Sequence, residues 1–322
     1  MKLVTFTIGS GEPRVGAINL DETRVVDLAA VDNQPYFSDM LGLIESGDVA
    51  VNLAKQIISS IDERNSHPLA DVKIKSPILA PPQIRDFLCF EEHLINAFAM
   101  LRKKKAEAEP DPIEALKRFE KEGAFEPPKI WYEQPLYYKA SRFGVIGTDE
   151  DVIWPHFSES LDYEMEFGAW LGKPGKDVTP EEATDMIFGY SIFNDISARD
   201  TQAREMPAGF GPGKGKDFET GMIIGPCIVT ADSFDPYNCE LIVRVNGDEV
   251  SRGNGGSMYW KFEDCIAHTS RAETLYPGEF FCSGTVGGGS GLELDRFLEP
   301  NDVVELEVTG IGVLRNRIIR PD

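Results

Sequence analysis

The pattern of apolar and polar positions divides the 322-residue chain into parts. The first part predicts three short strands and two amphipathic helices, at residues 2–7, 14–19, 23–28, 36–46 and 50–60. A stiff connector containing Pro77, Pro81 and Pro82 follows. We therefore expect a small N-terminal α/β domain at residues 1–75 and a larger domain at residues 76–322.

Residues 90–130 differ from the strand-like patterns elsewhere in the larger domain. Glu91–Met100 carries apolar residues at helical spacing. Asp111 is a typical N-cap, Pro112 fits the first helical position, and Glu114 follows three residues after the cap. These signals predict a pair of helices, which we expect to form a lid or insertion.

Strand patterns dominate from Trp131 onward. Thr179-Pro180-Glu181-Glu182 has the residues of a capping box and predicts a helix over residues 180–188. Asn246-Gly247 between two apolar runs predicts a tight hairpin. The chain is expected to end in a strand pair, Val303–Val308 and Val313–Ile319.

Residues 161–168 alternate between apolar side chains and acidic or small ones, which is the period of a β-strand. Glu164 and Glu166 then share one face, with Cβ atoms about 7 Å apart. A half-exposed antiparallel strand has the same pattern. Alternatively, the two carboxylates hold a hard divalent cation, which would relieve their mutual repulsion.

Composition narrows the possible functions. The formal net charge of −22 argues against binding to nucleic acids or anionic membranes. We find neither an N-terminal apolar signal region nor an apolar run long enough to span a bilayer. The five cysteines contain no C-x-x-C pair, so we expect buried reduced thiols and a cytoplasmic location.

A third carboxylate supports the metal hypothesis. The predicted strand–helix–strand unit brings Asp195 to the end of the strand that follows the Glu164 strand. Three carboxylates and several waters would complete an octahedral site for Mg²⁺, with Mn²⁺ or Ca²⁺ as alternatives. Arg199 either binds a substrate carboxylate through its guanidinium group or forms a structural ion pair with Asp200.

The chain also resembles a known family, the fumarylacetoacetate hydrolase family, across residues 76–322. The resemblance rests on motifs in the family's order: Asp162–Glu166, Gly189–Asp200, Gly215–Phe218, Gly225-Pro226, Val245–Gly247, Thr274–Gly278 and Ser283–Thr285. It implies an α+β, mostly β fold in which curled mixed sheets surround a metal site, with a small N-terminal domain.

The same resemblance implies roles for site residues. Glu164, Glu166 and Asp195 would bind the metal. Lys216 would meet negative charge that develops on a substrate oxygen, and Thr285 would hold the substrate carboxylate. The glycine-rich segments match neither a Walker motif nor a dinucleotide fingerprint, so we expect no nucleotide cofactor.

His93 occupies the position of the family's lid histidine and is the candidate base, with an exposed helix residue as the alternative interpretation. The family's glutamate three positions later is replaced by Asn96. Glu91, Glu92 or a carboxylate from residues 102–128 could take over its role.

The resemblance leaves three functions open. The main hypothesis is a metal-dependent hydrolase that cleaves a carbon–carbon bond in an acylpyruvate-like 1,3-diketo acid. The alternative is a lyase or isomerase of 2-oxo acids, such as an oxaloacetate decarboxylase or tautomerase. The third is a catalytically silent, metal-dependent binding protein. In each case the partner is a small 2-oxo or diketo acid, and the resemblance implies a homodimer.

Overall fold

The computed structural model describes residues 1–60, 65–124 and 126–321. The strands of the first half are β1 (Lys2–Thr7), β2 (Arg14–Ile18), β3 (Arg24–Asp27), β4 (Ser66–Pro68), β5 (Lys73–Lys75), β6 (Ile84–Phe87), β7 (Tyr137–Ala140), β8 (Val145–Ile146) and β9 (Asp151–Ile153). Those that follow are β10 (Leu161–Asp162), β11 (Met165–Leu171), β12 (Ile187–Asp195), β13 (Ser197–Ala198), β14 (Met222–Thr230), β15 (Glu240–Val245), β16 (Asp248–Asn254), β17 (Phe280–Cys282), β18 (Val303–Val308) and β19 (Gly312–Ile319).

The helices lie mainly in the N-terminal part, in the predicted lid and around the sheets. They are α1 (Leu28–Val31), α2 (Met40–Glu45), α3 (Gly47–Ser59), α4 (Glu91–Glu107), α5 (Pro112–Lys121), α6 (Pro180–Thr184), α7 (Arg199–Glu205), α8 (Phe262–Ser270) and α9 (Gly291–Leu294). No helix among the described residues is long and apolar enough to cross a membrane.

A twelve-stranded mixed sheet forms the centre of the molecule. Its main path is β4-β3-β2-β1-β14-β12-β11-β17-β6-β7, while β5 pairs with β1 and β8 with β14. Most neighbours are antiparallel, but β17 pairs with β6 and β14 with β8 in parallel. A five-stranded sheet, β16-β15-β18-β19-β9, packs against it. This mixed, mostly β architecture confirms the predicted fold class.

The main apolar core lies between the two sheets. Phe167 and Ile192 from the large sheet meet Leu241, Leu306 and Leu314 from the smaller one, and all are fully or almost fully buried. A second cluster joins the N-terminal helices to the opposite face of the large sheet. The sheet that carries the acidic strand is thus covered on both faces.

The N-terminal unit is continuous with this sheet. Lys2 and Leu3 of β1 pair antiparallel with Val229 and Ile228 of β14, and β14 also pairs with β12. The predicted domain boundary near residue 75 therefore falls within a structure whose strands share one hydrogen-bonded sheet.

Local signals placed most elements well. The predicted hairpin joins β15 and β16. Its turn is formed by Asn246 and Gly247, which both have positive φ. The capping box of Thr179 and Glu182 is formed, but α6 ends at Thr184 rather than at residue 188. The chain from Ile187 instead extends to pair with β11 and β14, so tertiary pairing overrides the continued helix.

The predicted lid contains two helices, α4 and α5. Asp111 accepts from the backbone N–H of Glu114 and caps α5, as predicted. Phe125, which falls within the same segment, lies outside the described residues. All five cysteines are free and buried, which confirms the expected reduced thiols.

Candidate active site

The register of β11 and β12 brings the three predicted metal ligands together. Met165 pairs with Asn194 and Glu166 with Phe193, which places Glu164 beside Asp195 at the adjoining position. One carboxylate oxygen each from Glu164, Glu166 and Asp195 lies within 4.8 Å of the others. The predicted carboxylate cluster therefore exists.

The burial of these side chains rules out a half-exposed strand. Glu164 is 4% exposed, Glu166 1% and Asp195 0%. Every residue of β11 is buried. Carboxylates withdrawn this far from water need a compensating charge or a retained proton.

Asp86 is a fourth carboxylate at this centre and was not predicted from the sequence. It lies on β6 opposite Cys282 of β17. Ligand atoms of Asp86, Glu166 and Cys282 also lie within 4.8 Å of one another. The sequence signal that could have revealed it is an acidic residue within a short segment that begins and ends with apolar side chains, Ile84–Phe87.

Lys216 inserts its ammonium group between two of the predicted ligands. Its Nζ donates to Oε2 of Glu164 and to Oδ2 of Asp195. The loop before it packs tightly on α7, because a Cβ on Gly215 would lie 2.7 Å from the backbone of Gln202. Glycine at 215 thus permits the approach that delivers Lys216 to the centre.

Acidic groups outnumber basic groups in this centre. Among the described residues it contains five buried carboxyl groups and two buried basic groups, namely Asp86, Asp162, Glu164, Glu166, Asp195, Lys216 and Arg199. Burial, followed by the neighbouring Asp86 and Asp195, raises the pKa of Glu166 well above its usual range. Burial likewise raises the pKa of Asp86, and Asp195 adds to the effect.

Glu164 behaves differently because it has basic neighbours. Burial alone would raise its pKa, but Lys216 and Arg199 outweigh burial and lower it. The same ion pairs raise the pKa values of both basic groups against the opposing effect of their burial. Glu164 is therefore ionised, whereas the pKa values of Asp86, Asp162, Glu166 and Asp195 are raised, with burial as the largest cause.

The residues fit a divalent cation at this centre. Among the described residues, Asp86 Oδ1, Glu166 Oε2 and Asp195 Oδ1 are buried oxygens without a hydrogen-bond partner. Carboxylate oxygens are the preferred ligands of Mg²⁺ and Mn²⁺. A cation bound to them would satisfy these oxygens and offset the negative charge that the carboxyl groups carry once they lose their protons.

Arg199 is buried and already surrounded by acceptors. Its Nε donates to Asp162 Oδ2 at 2.8 Å, and its Nη2 donates to Glu164 Oε1 at 2.8 Å. Its Nη1 donates to Gln202 Oε1 at 2.9 Å. Asp200 instead accepts from Ser158. Arg199 thus holds the predicted metal ligand Glu164 in place. Its predicted role in binding the substrate stays a prediction.

Two hydroxyl groups complete the surroundings of the carboxylates. Thr285 Oγ1 lies 3.3 Å from Glu166 Oε1, so the predicted substrate-binding threonine is at the centre. Tyr138 of β7 donates to Asp195 Oδ2 at 2.7 Å. Tyr138 was not predicted from the sequence, since strand pairing rather than any local motif places it here.

His93 is buried in the first turn of α4, which excludes the exposed-residue interpretation. Its Nδ1 lies 2.8 Å from Oε2 of Glu293. Glu91, one of the expected substitutes, instead accepts a hydrogen bond from Tyr132. The carboxylate partner of His93 therefore comes from α9 and not from the lid.

Glu293 is held firmly by its own neighbours. Its Oε1 accepts from the backbone N–H of Gly288 at 2.8 Å, and its Oε2 accepts from Ser290 at 2.9 Å. Asn96, at the position of the missing glutamate, donates to Oε1 at 3.2 Å. Asn96 and Glu293 together thus replace the lid glutamate that the family pattern led us to expect.

The arrangement combines two chemical capacities. The buried carboxylates can hold a divalent cation beside the Lys216 ammonium, a setting that stabilises negative charge on a bound oxygen. The His93–Glu293 pair can accept and return a proton. The site is therefore suited to reactions that pass through an enol or enolate.

Known proteins resemble this chain in sequence over almost its whole length. Residues 85–319 match the model of the fumarylacetoacetate (FAA) hydrolase C-terminal family. The mitochondrial oxaloacetate tautomerase of Xenopus laevis is 30% identical over 328 residues, spanning 99% of this chain and 90% of that protein. The corresponding protein of Rattus norvegicus is 28% identical over 326 residues, 99% of this chain and 92% of that protein.

Solved structures share the fold over the whole chain. The fumarylacetoacetate hydrolase of Exiguobacterium antarcticum has a TM-score of 0.73 and 25% identity, with 100% of both chains covered. The maleylpyruvate hydrolase of Sphingobium sp. SYK-6, solved with manganese and pyruvate, has a TM-score of 0.72 and 19% identity, also with full coverage. The protein belongs to the fumarylacetoacetate hydrolase family.

Proposed function

We propose that the protein is a divalent-cation-dependent tautomerase that interconverts the keto and enol forms of oxaloacetate or a close 2-oxo dicarboxylate. The observation that carries this proposal is the 30% identity to an oxaloacetate tautomerase over 99% of the chain. The proposal replaces hydrolysis as the leading hypothesis. It keeps the expected partner, a small 2-oxo acid.

The chemistry of the site is consistent with this reaction. Tautomerisation moves one proton between C3 and the 2-oxygen and requires stabilisation of the charge that passes through that oxygen. A bound Mg²⁺ or Mn²⁺ supplies electrophilic stabilisation of that charge. Glu164, Glu166, Asp195 and Asp86 would hold the cation, and Lys216 adds a fixed positive charge next to it.

The proton-transfer step falls to His93. Because Nδ1 is bound to Glu293, Nε2 is the nitrogen that remains to take up a proton from the substrate and return it. Glu293 fixes the orientation of the ring and stabilises the imidazolium that forms. Neither role consumes water, so the same pair serves isomerisation in both directions.

Hydrolysis of an acylpyruvate-like diketo acid is the second candidate. One observation favours it: a buried histidine with a carboxylate partner is also the arrangement that activates water. The two functions differ in product. Hydrolysis incorporates water and yields two acids, whereas tautomerisation leaves the carbon skeleton intact.

A direct assay separates the candidates. The purified protein is supplied with Mn²⁺ and freshly dissolved enol-oxaloacetate, and loss of the enol absorbance is followed together with pyruvate release. The same preparation is then given an acylpyruvate. Faster enol loss without pyruvate supports the tautomerase, and pyruvate from oxaloacetate indicates a decarboxylase. Products from the acylpyruvate alone would replace the proposal with the hydrolase.

A catalytically silent binding protein is the remaining alternative. It predicts no turnover of any of these acids, with or without Mn²⁺. Calorimetric titration with oxalate, an unreactive 2-oxo acid mimic, then decides whether the centre still binds a ligand. Binding without turnover would support this alternative against both enzymes.

A further inference from the structure

A cysteine thiol forms part of the wall of the carboxylate centre. Cys282 lies on β17, paired with Asp86 of β6 on one side and with Gly168 of β11 on the other. Its Sγ lies within 4.8 Å of carboxylate oxygens of Asp86 and Glu166. Because the three strands are hydrogen-bonded neighbours, this placement is set by the backbone rather than by a mobile side chain.

The side of the centre that faces Cys282 is the part left without a basic partner. Lys216 and Arg199 donate to Glu164, and Lys216 also donates to Asp195. Among the described residues, Asp86 Oδ1 and Glu166 Oε2 have no hydrogen-bond partner, and Asp86 and Glu166 are 4% and 1% exposed. One carboxylate oxygen of each residue lies within 4.8 Å of Cys282 Sγ, so the three side chains border one buried position.

The spacing of these atoms suits a common cation. Ligands on one zinc-sized ion lie at most about 4 to 4.6 Å apart, because each is roughly 2.0 to 2.3 Å from the metal. The atoms of Asp86, Glu166 and Cys282 lie within 4.8 Å of one another, so they reach this spacing with a shift of less than about 1 Å. The two carboxylate oxygens are hard donors, and the sulfur is a soft donor.

We propose that Cys282 is a sulfur ligand of the centre, used when the cation is thiophilic. Co²⁺, Zn²⁺ or Cd²⁺ bound between Asp86 and Glu166 takes Sγ into its coordination shell. A hard cation such as Mg²⁺ is held through the carboxylate oxygens alone. The centre thus offers one sulfur donor beside its carboxylate oxygens, which gives it affinity for metals that an all-oxygen site would bind weakly.

The other thiols give a matched comparison within the same chain. Cys227 is equally buried, but its Sγ contacts the carbonyl oxygen of Ile311. Cys89 and Cys265 face each other with sulfur atoms 3.6 Å apart. Cys282 is the cysteine in the described residues that shares a potential metal cluster with carboxylates.

Cobalt spectroscopy tests the proposal and does not depend on which reaction is catalysed. The full-length protein is stripped with a chelator and titrated with Co²⁺. We expect a sulfur-to-cobalt charge-transfer band in the near ultraviolet that is absent from Cys282→Ser and retained in Cys227→Ser. Competition titrations should show Cd²⁺ affinity lowered at least about tenfold in Cys282→Ser, with Mg²⁺ affinity unchanged.

Several results would overturn the proposal. These are bound Co²⁺ without a charge-transfer band in the unaltered protein, a band that survives in Cys282→Ser, or no Co²⁺ binding at all. Thermal unfolding of Cys282→Ser and Cys282→Ala shows whether the variants fold. If neither folds, ¹¹³Cd NMR of the unaltered protein decides, because sulfur ligation moves the cadmium resonance far from the range of oxygen-only sites.

Discussion

Glu293 Oε2 lies 2.8 Å from His93 Nδ1, although 200 positions separate the two residues in the chain. The contact joins the first turn of α4 to the short helix α9. Both groups are almost completely buried. The orientation of the proposed base thus depends on a carboxylate from the opposite end of the catalytic region.

Removing either member of this pair should slow the reaction strongly. His93→Ala is expected to lower kcat by about 10²- to 10⁴-fold, the usual contribution of a positioned acid or base. Glu293→Gln should lower kcat by a smaller factor, because the imidazole of His93 is still present but less well oriented. Steady-state kinetics on enol-oxaloacetate with saturating Mn²⁺ measures both effects.

A control on the same helix is Lys105→Ala. Lys105 is an exposed residue of α4, so its loss should change kcat little. A Glu293→Gln variant with unaltered kcat would show that the pair is structural. Equal Mn²⁺ binding in all variants, checked by elemental analysis, separates proton transfer from metal loss.

Glu166→Gln should weaken cation binding. The substitution keeps the shape of the side chain but removes the charge of a ligand common to both acidic clusters. We expect Mn²⁺ affinity to fall by at least about tenfold, measured by calorimetric titration of chelator-treated protein. The exposed Glu159, paired with Arg320 at the surface, supplies the control variant Glu159→Gln, which should bind Mn²⁺ normally. Full occupancy in Glu166→Gln would refute the ligand assignment.

The effect of the cation on stability should grow with pH. Burial and the nearby carboxylates raise the pKa of Glu166, so in metal-free protein it keeps a proton that the unfolded chain loses above its ordinary value of 4.5. Its stabilising contribution is full below that value and is lost as pH rises through the folded pKa. A cation displaces the proton more easily at higher pH.

The expected result is a larger rise in Tm on adding Mn²⁺ at pH 8 than at pH 6. Differential scanning fluorimetry with and without Mn²⁺ measures this difference directly. In Glu166→Gln the rise in Tm on adding Mn²⁺ should depend less on pH. A difference that is independent of pH in the unaltered protein would show that metal binding releases no proton from the centre.

Lys216→Met should destabilise the metal-free protein. The substitution leaves Glu164 and Asp195 buried without the ammonium that bridges them. Breaking a buried ion pair by removing one partner typically costs about 3 to 5 kcal/mol. Urea denaturation should show this loss, and Mn²⁺ should restore part of it by supplying the missing charge.

Lys214→Met is the control for charge and loop composition. Lys214 lies two residues earlier and is exposed, so its removal should leave stability nearly unchanged. A Lys216→Met protein as stable as this control would mean that the carboxylates are neutral without the lysine. Activity of Lys216→Met should fall even with Mn²⁺ bound, because a fixed positive charge has been lost.

Local sequence patterns were sufficient for much of the site. Glu164 and Glu166 were recognisable by strand alternation, and Asp195 by its position at the end of the next strand. The helix cap at Asp111 and the hairpin at Asn246 also depend on neighbouring residues only. Each of these features is determined by residues that are close together in the chain, which is why the sequence alone predicts it.

The missed residues depend on long-range pairing. Asp86 joins the centre only because β6 pairs with β17, across almost two hundred positions. Glu293 lies on a four-residue helix after a glycine-rich turn, where no periodicity indicates a role. Tyr138 reaches Asp195 through the order of strands in the sheet. No local pattern can predict which distant strands become neighbours.

The pairing of β1 with β14 has a consequence for any attempt to shorten the protein. Deleting the N-terminal unit would uncover backbone donors and acceptors of β14 at Ile228 and Val229, and an unprotected strand edge recruits other chains. The family match begins only at residue 85, yet the preceding segment shields this edge. By pairing with β14, the N-terminal segment prevents this strand edge from pairing with other chains. We therefore expect a fragment without this segment to aggregate unless β14 is redesigned.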